Sequence, residues 1–159
     1  MKHRTLAATF DRLATPVAQL VTRLAFGQAF ALTGYGKLAN LDRTVDFFGS
    51  LGIPFPSLQA PLVGAVELLG GILLVLGAGT RAAAGLLVGT MLVALLTAHG
   101  ADLAAGLRLG AGFDEAAPVP YLVAALWLAA KGGGPLSVDQ RWASRAAPGP
   151  MPTGLTANA

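Results

Sequence analysis

Two charged residues stand inside long apolar stretches of this 159-residue sequence. Arg23 is the only charged residue between positions 17 and 36, and Glu67 is the only one between positions 60 and 78. A charge is costly in hydrocarbon, so it usually faces a protein interior and serves binding or proton transfer. Glu67 must either pair with a cation or be held neutral by the loss of its hydration. These two residues are therefore the first candidates for chemistry.

Small residues accompany both charges at helical spacing. Spacings of three and four place each charge on one helix face with its small neighbours. One face holds Arg23, Gly27, Phe30, Gly34 and Lys37, and the other holds Ala60, Gly64, Glu67 and Gly71. Small residues let helix backbones approach closely in membranes. We predict close packing at Gly27, Gly34, Gly64 and Gly71, and at the similarly spaced pair Gly85 and Gly89.

The composition indicates the environment of the helices that carry these residues. Only 12 % of the residues are charged and 54 % are hydrophobic, whereas soluble domains carry about 25 % charge. A helix needs about 20 residues to cross the hydrocarbon core. Three apolar stretches meet this length, and a fourth does so if Lys131 reaches towards the headgroups. The sequence predicts an all-α integral membrane four-helix bundle with spans at about 17–36, 60–78, 82–98 and 118–134.

The positive charges predict the orientation. With four spans both termini share one side, which carries seven Lys and Arg residues, including Lys131 at the end of the fourth span, against three on the other. Because cytoplasmic loops carry the excess of Lys and Arg, both termini are predicted to be cytoplasmic. We expect a multi-pass protein of a bacterial-type plasma (inner) membrane, surrounded by the lipid bilayer. The net charge of +3 is explained by this topology, and no nucleic-acid surface is indicated.

The segments outside the spans have their own patterns. Residues 1–15 are predicted to be a cytoplasmic segment, and residues 16–134 form the membrane domain. After the first span, a stretch from Leu41 mixes apolar and charged residues as amphipathic interfacial helices do. Ser137 and Gln140 form a capping box, which predicts a short cytoplasmic interfacial helix over residues 135–146. Residues 147–159 are predicted to be a disordered tail.

This topology brings three polar side chains to the outer half of the bundle. Lys37 and His99 lie near the outer boundary, and Glu67 lies about seven residues, or roughly 10 Å, below it. The candidate ligand-binding or proton-handling residues are thus Glu67, Arg23, Lys37 and His99. Each also has a structural interpretation: a hydrogen bond for Glu67, a side chain extended to the headgroups for Arg23, an interfacial anchor for Lys37, and a solvated helix end for His99.

Several kinds of site are not expected. The sequence has no cysteine, which excludes disulfides, thiolate metal ligands and thiol relays. Its two histidines, His3 and His99, are predicted on opposite sides of the membrane, so no metal or haem site is expected. No Ser-His-Asp arrangement is recognisable either. Whether the chain has an activity of its own is left open.

Five motifs in order resemble the DoxX family. They extend over about Leu20 to Asp139. They are Arg23-Gly27-Phe30-Gly34-Lys37-Leu38, Phe48-x-x-Leu-Gly-Ile-Pro54, Glu67-Leu-Leu-Gly-Gly71, Leu76-Gly-x-Gly-Thr-Arg81, and Gly134-Pro-Leu-Ser-Val-Asp139. The resemblance implies a four-helix membrane protein whose relatives include the small membrane subunit of thiosulfate:quinone oxidoreductase and companions of sulfur, thiol-stress and quinone-handling proteins. The missing cysteines exclude a thiol-based sulfur carrier role for this chain alone.

Three functions remain open. The first is a membrane subunit or anchor of a quinone-linked oxidoreductase system, not catalytic alone, with a quinone as ligand and a soluble redox protein as partner. The second is a stand-alone protein that binds or transports a small hydrophobic or lipid-like molecule. The third is a structural helper in membrane-complex assembly. A homo-oligomer is compatible with each of them.

Overall fold

The computed structural model describes residues 2–100 and 118–146, with side chains over residues 14–100 and 118–145. Within these ranges the chain forms six helices and no strand, which confirms the all-α prediction there. The helices are α1 (Lys2–Ala39), α2 (Leu41–Ser50), α3 (Pro56–Leu76), α4 (Thr80–Ala98), α5 (Pro118–Lys131) and α6 (Val138–Ala146). The predicted tail over residues 147–159 and most of the outer loop before Pro118 lie outside the described residues.

Two of the described helices, α3 and α4, are long and apolar enough to cross a membrane. They form an antiparallel hairpin because only residues 77–79 join them. Gly77 ends α3 with a φ of 69°, and Gly79 precedes α4 with a φ of 57°. Only glycine adopts this left-handed backbone without a steric cost from Cβ. The four-span arrangement and the side on which the termini lie remain predictions.

The other two predicted spans differ from the observed helices. α1 has 38 residues and begins at Lys2, well before the predicted start of its span, because its first residues are mostly good helix formers. α5 has 14 residues and ends at Lys131, three residues earlier than predicted. Gly132 takes a φ of 76° and Gly134 a φ of 74°, so the helix cannot continue through them. Neither feature was recognised from apolar length alone.

The helices pack around two apolar clusters. α1 packs mainly against α3, α3 also against α4, and α4 against α5, which returns to contact α1. α2 packs against α3. The larger cluster consists of Phe30, Leu74, Ala83, Ala84, Leu87, Met91, Ala125 and Leu128. The smaller one, under α2, consists of Phe48, Ile53 and Ala60.

The contact between α1 and α3 is a backbone-to-backbone approach. A Cβ added to Gly34 would lie 2.7 Å from the carbonyl oxygen of Gly64, and one added to Gly71 would lie 2.5 Å from that of Gly27. Real Cβ atoms do not approach backbone oxygens this closely. The four glycines predicted from helical spacing therefore lie where the two helices meet.

Gly85 and Gly89 do not pack in the predicted way. Both lie on the exposed face of α4, and no described atom lies within 4 Å of a Cβ built on either one. Instead α4 meets α3 through Leu87, whose side-chain carbons lie 3.1 to 3.2 Å from a Cβ built on Gly70. The spacing of four correctly describes a shared helix face, but it does not say which neighbour, if any, covers that face.

We expect Gly34→Ala to destabilise the protein. The added methyl group meets the α3 backbone, and overpacking of this kind costs about 1–3 kcal/mol. The loss should appear as a lower midpoint of thermal unfolding in detergent, followed by circular dichroism.

The matched control for this variant is Gly36→Ala, two residues further along α1. No described atom lies within 4 Å of a Cβ at Gly36, so this variant should unfold at or slightly above the wild-type temperature, since alanine favours helix over glycine. An equal loss of stability in both variants would contradict the close α1–α3 contact.

Candidate functional site

Glu67 lies in the middle of α3 and is buried, with 2 % of its surface exposed. Helical periodicity places Ala60, Gly64 and Gly71 on the same buried side of α3. Because these neighbours are small, α1 approaches closely enough for its side chains to reach the carboxylate. The apolar sequence around Glu67 did not by itself show which group compensates the carboxylate charge.

Lys37 on α1 is the partner of Glu67. Its Nζ lies 2.5 Å from Oε2 of Glu67, and the Lys37 side chain is 29 % exposed. Two opposite charges in a low-dielectric environment attract strongly, whereas removal of one partner leaves the other uncompensated and costs several kcal/mol. The pair therefore provides charge compensation for a carboxylate that lies in an apolar helix.

The ion pair forms part of the wall of a cavity of about 300 Å³. Most of this wall is apolar, and all five helices from α1 to α5 contribute to it. His99, directly after α4, lines the same cavity. The structure thus brings Glu67, Lys37 and His99 together, while their role in binding stays a prediction. The apolar wall includes Phe30, Phe48, Ile53, Val63, Met91 and Tyr121.

Aromatic rings form the side of the cavity between α1 and α5. The ring of Tyr121 packs edge-to-face on Phe30, with centroids 5.2 Å apart, and on Phe26, with centroids 5.5 Å apart. Such pairs prefer this geometry and contribute about 0.5–1.5 kcal/mol beyond their buried area. Sequence reasoning missed Tyr121, because a single tyrosine after two prolines has no spacing pattern. Only the packing of α5 against α1 brings it to the cavity.

This arrangement suits a small apolar ligand with a polar edge. Ligand pockets are mostly apolar, with a few polar groups that fix the orientation of the ligand. Here the ammonium of Lys37 can donate a hydrogen bond to a ligand oxygen, and the carboxylate of Glu67 can accept a proton. The aromatic side chains provide flat surfaces against which a ring can lie. Within the described residues, no group of His, Asp or Glu could hold a metal ion.

Arg23, the fourth predicted site residue, is not at this cavity. It lies fourteen residues before Lys37 on α1, about 21 Å along the helix. Its side chain is buried, and the guanidinium donates hydrogen bonds to the carbonyl oxygens of Gly133 at 2.6 Å, Leu136 at 3.1 Å and Val75 at 3.4 Å. These contacts tie α1 to the end of α3 and to the segment between α5 and α6. They favour a structural role, and the ligand-binding role stays a prediction.

Asp139, at the start of α6, completes this second polar region. Its carboxylate accepts hydrogen bonds from the backbone N–H groups of Gly79 at 2.6 Å and Thr80 at 2.9 Å. It therefore caps α4 from a distant part of the chain. Burial by itself raises the pKa of the Asp139 carboxyl, but the hydrogen bonds from Thr80 and Gly79 and the charge of Arg23 together lower it below the ordinary value.

We expect Asp139→Asn to lower the unfolding temperature at neutral pH. Loss of a helix cap costs about 1 kcal/mol. Because the folded-state pKa lies below the unfolded value of about 3.9, the charged carboxylate stabilises the fold above that pH. This stabilisation is lost as the pH falls from about 4 through the folded-state pKa.

The measurement for this prediction is thermal unfolding of both proteins in detergent, near neutral pH and at several pH values below 4. The difference between wild type and Asp139→Asn should be largest near neutral pH and should shrink on acidification. A difference that stays constant over the whole range would mean that the carboxylate charge does not contribute.

The part of the chain that the structure describes is all-helical, with an apolar hairpin of two helices long enough to cross a membrane and a buried carboxylate that is paired as charges within membrane spans usually are. The family model described as DoxX matches residues 18–100. An inner membrane protein of Escherichia coli (strain K12), YphA, is 35% identical over 130 residues, which cover 80% of this chain and 92% of that protein. The chain therefore belongs to the DoxX family, and the resemblance found in its motifs is confirmed.

A second relative is named for an activity. A protein of Bacillus subtilis (strain 168), named as a proposed oxidoreductase, CatD, is 35% identical over 81 residues. The match covers 51% of this chain and 59% of CatD, so it spans less than two thirds of that relative. No solved structure matches the chain.

Proposed function

We propose that this chain is a bacterial inner-membrane subunit or anchor of a quinone-linked oxidoreductase system. We further propose that the cavity lined by Lys37 and Glu67, called the first cavity below, holds the ring of the quinone. The observation that carries the proposal is the Lys37–Glu67 ion pair in the wall of an otherwise apolar, aromatic-lined cavity. The name of the relative CatD supports the link to oxidoreductases. The name of YphA supports the location in the inner membrane.

The chemistry of the cavity fits a quinone ring. A quinone has an apolar ring and two carbonyl oxygens, one of which can accept a hydrogen bond from Lys37. Reduction to the quinol takes two electrons, which the soluble redox partner would supply, and two protons from water, one of which Glu67 can take up and pass on to a ring oxygen. A volume of about 300 Å³ accommodates one ring system rather than a whole isoprenoid lipid. The apolar tail would leave the cavity towards the bilayer.

A second candidate function rests on the same cavity. Because residues of a single chain form the wall, the protein could bind a small hydrophobic molecule without a partner. The two functions share the ligand site and differ in whether a soluble redox protein accompanies the chain. The third interpretation, a structural helper in assembly, requires no ligand at all.

Ligand binding is tested with 2-methyl-1,4-naphthoquinone as the probe and the purified protein in mild detergent. The quinone should raise the unfolding temperature of the wild type. In Glu67→Gln the apparent affinity should fall about tenfold, because Glu67 holds the Lys37 ammonium that donates to the quinone oxygen, and a hydrogen bond from a charged group contributes about 1.5–3 kcal/mol. Each variant is compared with its own ligand-free unfolding temperature, because loss of the ion pair also changes stability.

The matched control for this experiment is Asp46→Asn, which removes an exposed carboxylate of α2 that does not line the cavity. It should respond to the quinone as the wild type does. If the quinone shifts the unfolding temperature of Glu67→Gln as much as that of the wild type, Glu67 does not take part in binding. If it shifts neither the wild type nor any variant, the helper interpretation is favoured.

The subunit interpretation is tested separately by purification from native membranes in mild detergent, followed by mass spectrometry of the retained proteins. A soluble protein that carries a redox cofactor should be retained in a fixed ratio. A homogeneous, partner-free protein that still binds the quinone would instead support the stand-alone function.

A further inference from the structure

A second cavity lies at the opposite end of the helices, and the proposed quinone site does not use it. Its volume is about 560 Å³. It is bounded by the start of α4, the end of α5 and the beginning of α6. On the predicted topology this end faces the cytoplasm. Its wall is more polar than that of the first cavity.

Two cations flank this second cavity. Arg81 comes from the first turn of α4 and Lys131 from the last residue of α5, and both side chains line the cavity and are exposed to solvent. The Nε atom of Arg81 lies 3.2 Å from a Cβ built on Gly132, so the guanidinium group lies close to the residue that follows Lys131. Residues 132–134 are all glycine, and they present backbone rather than side chains to the cavity.

One carboxylate, that of Asp139, also lines the cavity. Its oxygens already accept hydrogen bonds from the N–H groups of Gly79 and Thr80. Its charge is also opposed by the buried guanidinium of Arg23. The charges of Arg81 and Lys131 are therefore the ones that remain available to a ligand among the lining residues, and an anion is the ligand that they favour.

The threonine beside these cations does not add a donor for the ligand. Thr80 lines the second cavity, but it is completely buried, and its side chain interacts with the Asp139 carboxylate and helps to lower the pKa of that group. Arg81 and Lys131 are therefore the donors that remain for the oxygens of a phosphate group, which bind such cations through charge-assisted hydrogen bonds.

Two tryptophans near this cavity favour a position at the depth of lipid headgroups. The Nζ atom of Lys131 lies 5.5 Å from the centroid of the Trp127 ring on α5. Trp127 is 43 % exposed and Trp142 of α6 is 60 % exposed. Tryptophan side chains are enriched at the membrane–water interface. Basic pockets between helices at the cytoplasmic side are suited to the headgroups of anionic lipids.

We propose that the second cavity binds a phosphate group between Arg81 and Lys131, and that an anionic phospholipid of the adjacent leaflet supplies it. This site is separate from the quinone cavity, so its failure would leave the proposed function untouched. A free phosphate ion offers the same chemistry, and the experiment distinguishes the two sources.

The experiment uses the full chain in mild detergent. Native mass spectrometry and thermal unfolding are measured with dioleoyl-phosphatidylglycerol, with zwitterionic dioleoyl-phosphatidylcholine, and with sodium phosphate against sodium chloride at equal ionic strength. Phosphatidylglycerol should bind in preference to phosphatidylcholine and should raise the unfolding temperature. The double variant Arg81→Gln/Lys131→Gln should bind it about tenfold more weakly, since each basic residue near a membrane surface adds to anionic-lipid affinity.

The control variant, Arg141→Gln/Arg145→Gln, removes two exposed charges at the same end of the protein that do not line the cavity. It should retain phosphatidylglycerol as the wild type does. An equal loss of phosphatidylglycerol affinity in the two double variants would mean that general surface charge attracts the lipid, and would overturn the proposal. Equal binding of phosphatidylglycerol and phosphatidylcholine would also overturn it. A stabilisation by sodium phosphate that matches that of the lipid, and that the first double variant abolishes, would overturn the lipid source.

Discussion

The close approach of α1 and α3 is the contact on which the rest of the structure depends. Where Gly34 meets Gly64, the two backbones lie closer together than any side chain would permit. This short distance lets Lys37 on one helix reach Glu67 on the other, so the glycines place charges as well as pack helices. A wider separation would leave a buried carboxylate without its ammonium, which costs several kcal/mol.

Two buried charges are compensated in two different ways, and the difference indicates where chemistry is possible. Arg23 donates to backbone carbonyl groups, and a guanidinium group keeps its charge at any ordinary pH. Its contacts therefore favour a role in holding the fold together rather than in proton transfer. Glu67 and Lys37 form a pair in which both members can exchange a proton, and this pair lines a cavity. We therefore propose proton chemistry for the first cavity.

Helical periodicity was sufficient to predict which residues share a helix face. It could not predict contacts between segments that are distant in the sequence. It grouped Glu67 with the small residues of α3 and placed Lys37 on the face of α1 that meets them. It also grouped Arg23 with the ligand candidates, because spacing cannot show that the chain returns with the carbonyl groups of residues 133 and 136. Tyr121 was missed for the same reason. Gly85 has the right spacing for close packing but no described neighbour.

The two cavities share helices without sharing side chains, and this separation has a consequence for how the protein works. α1, α3 and α4 each contribute to polar regions at both ends, so each helix holds the two regions at a fixed distance. A change to a lining side chain should therefore affect one cavity alone. A change at the α1–α3 glycine contact moves whole helices, so it should disturb the ion pair at one end and the Arg23 contacts at the other. Membership of the DoxX family describes the scaffold, and the side chains that line each cavity determine what the scaffold binds.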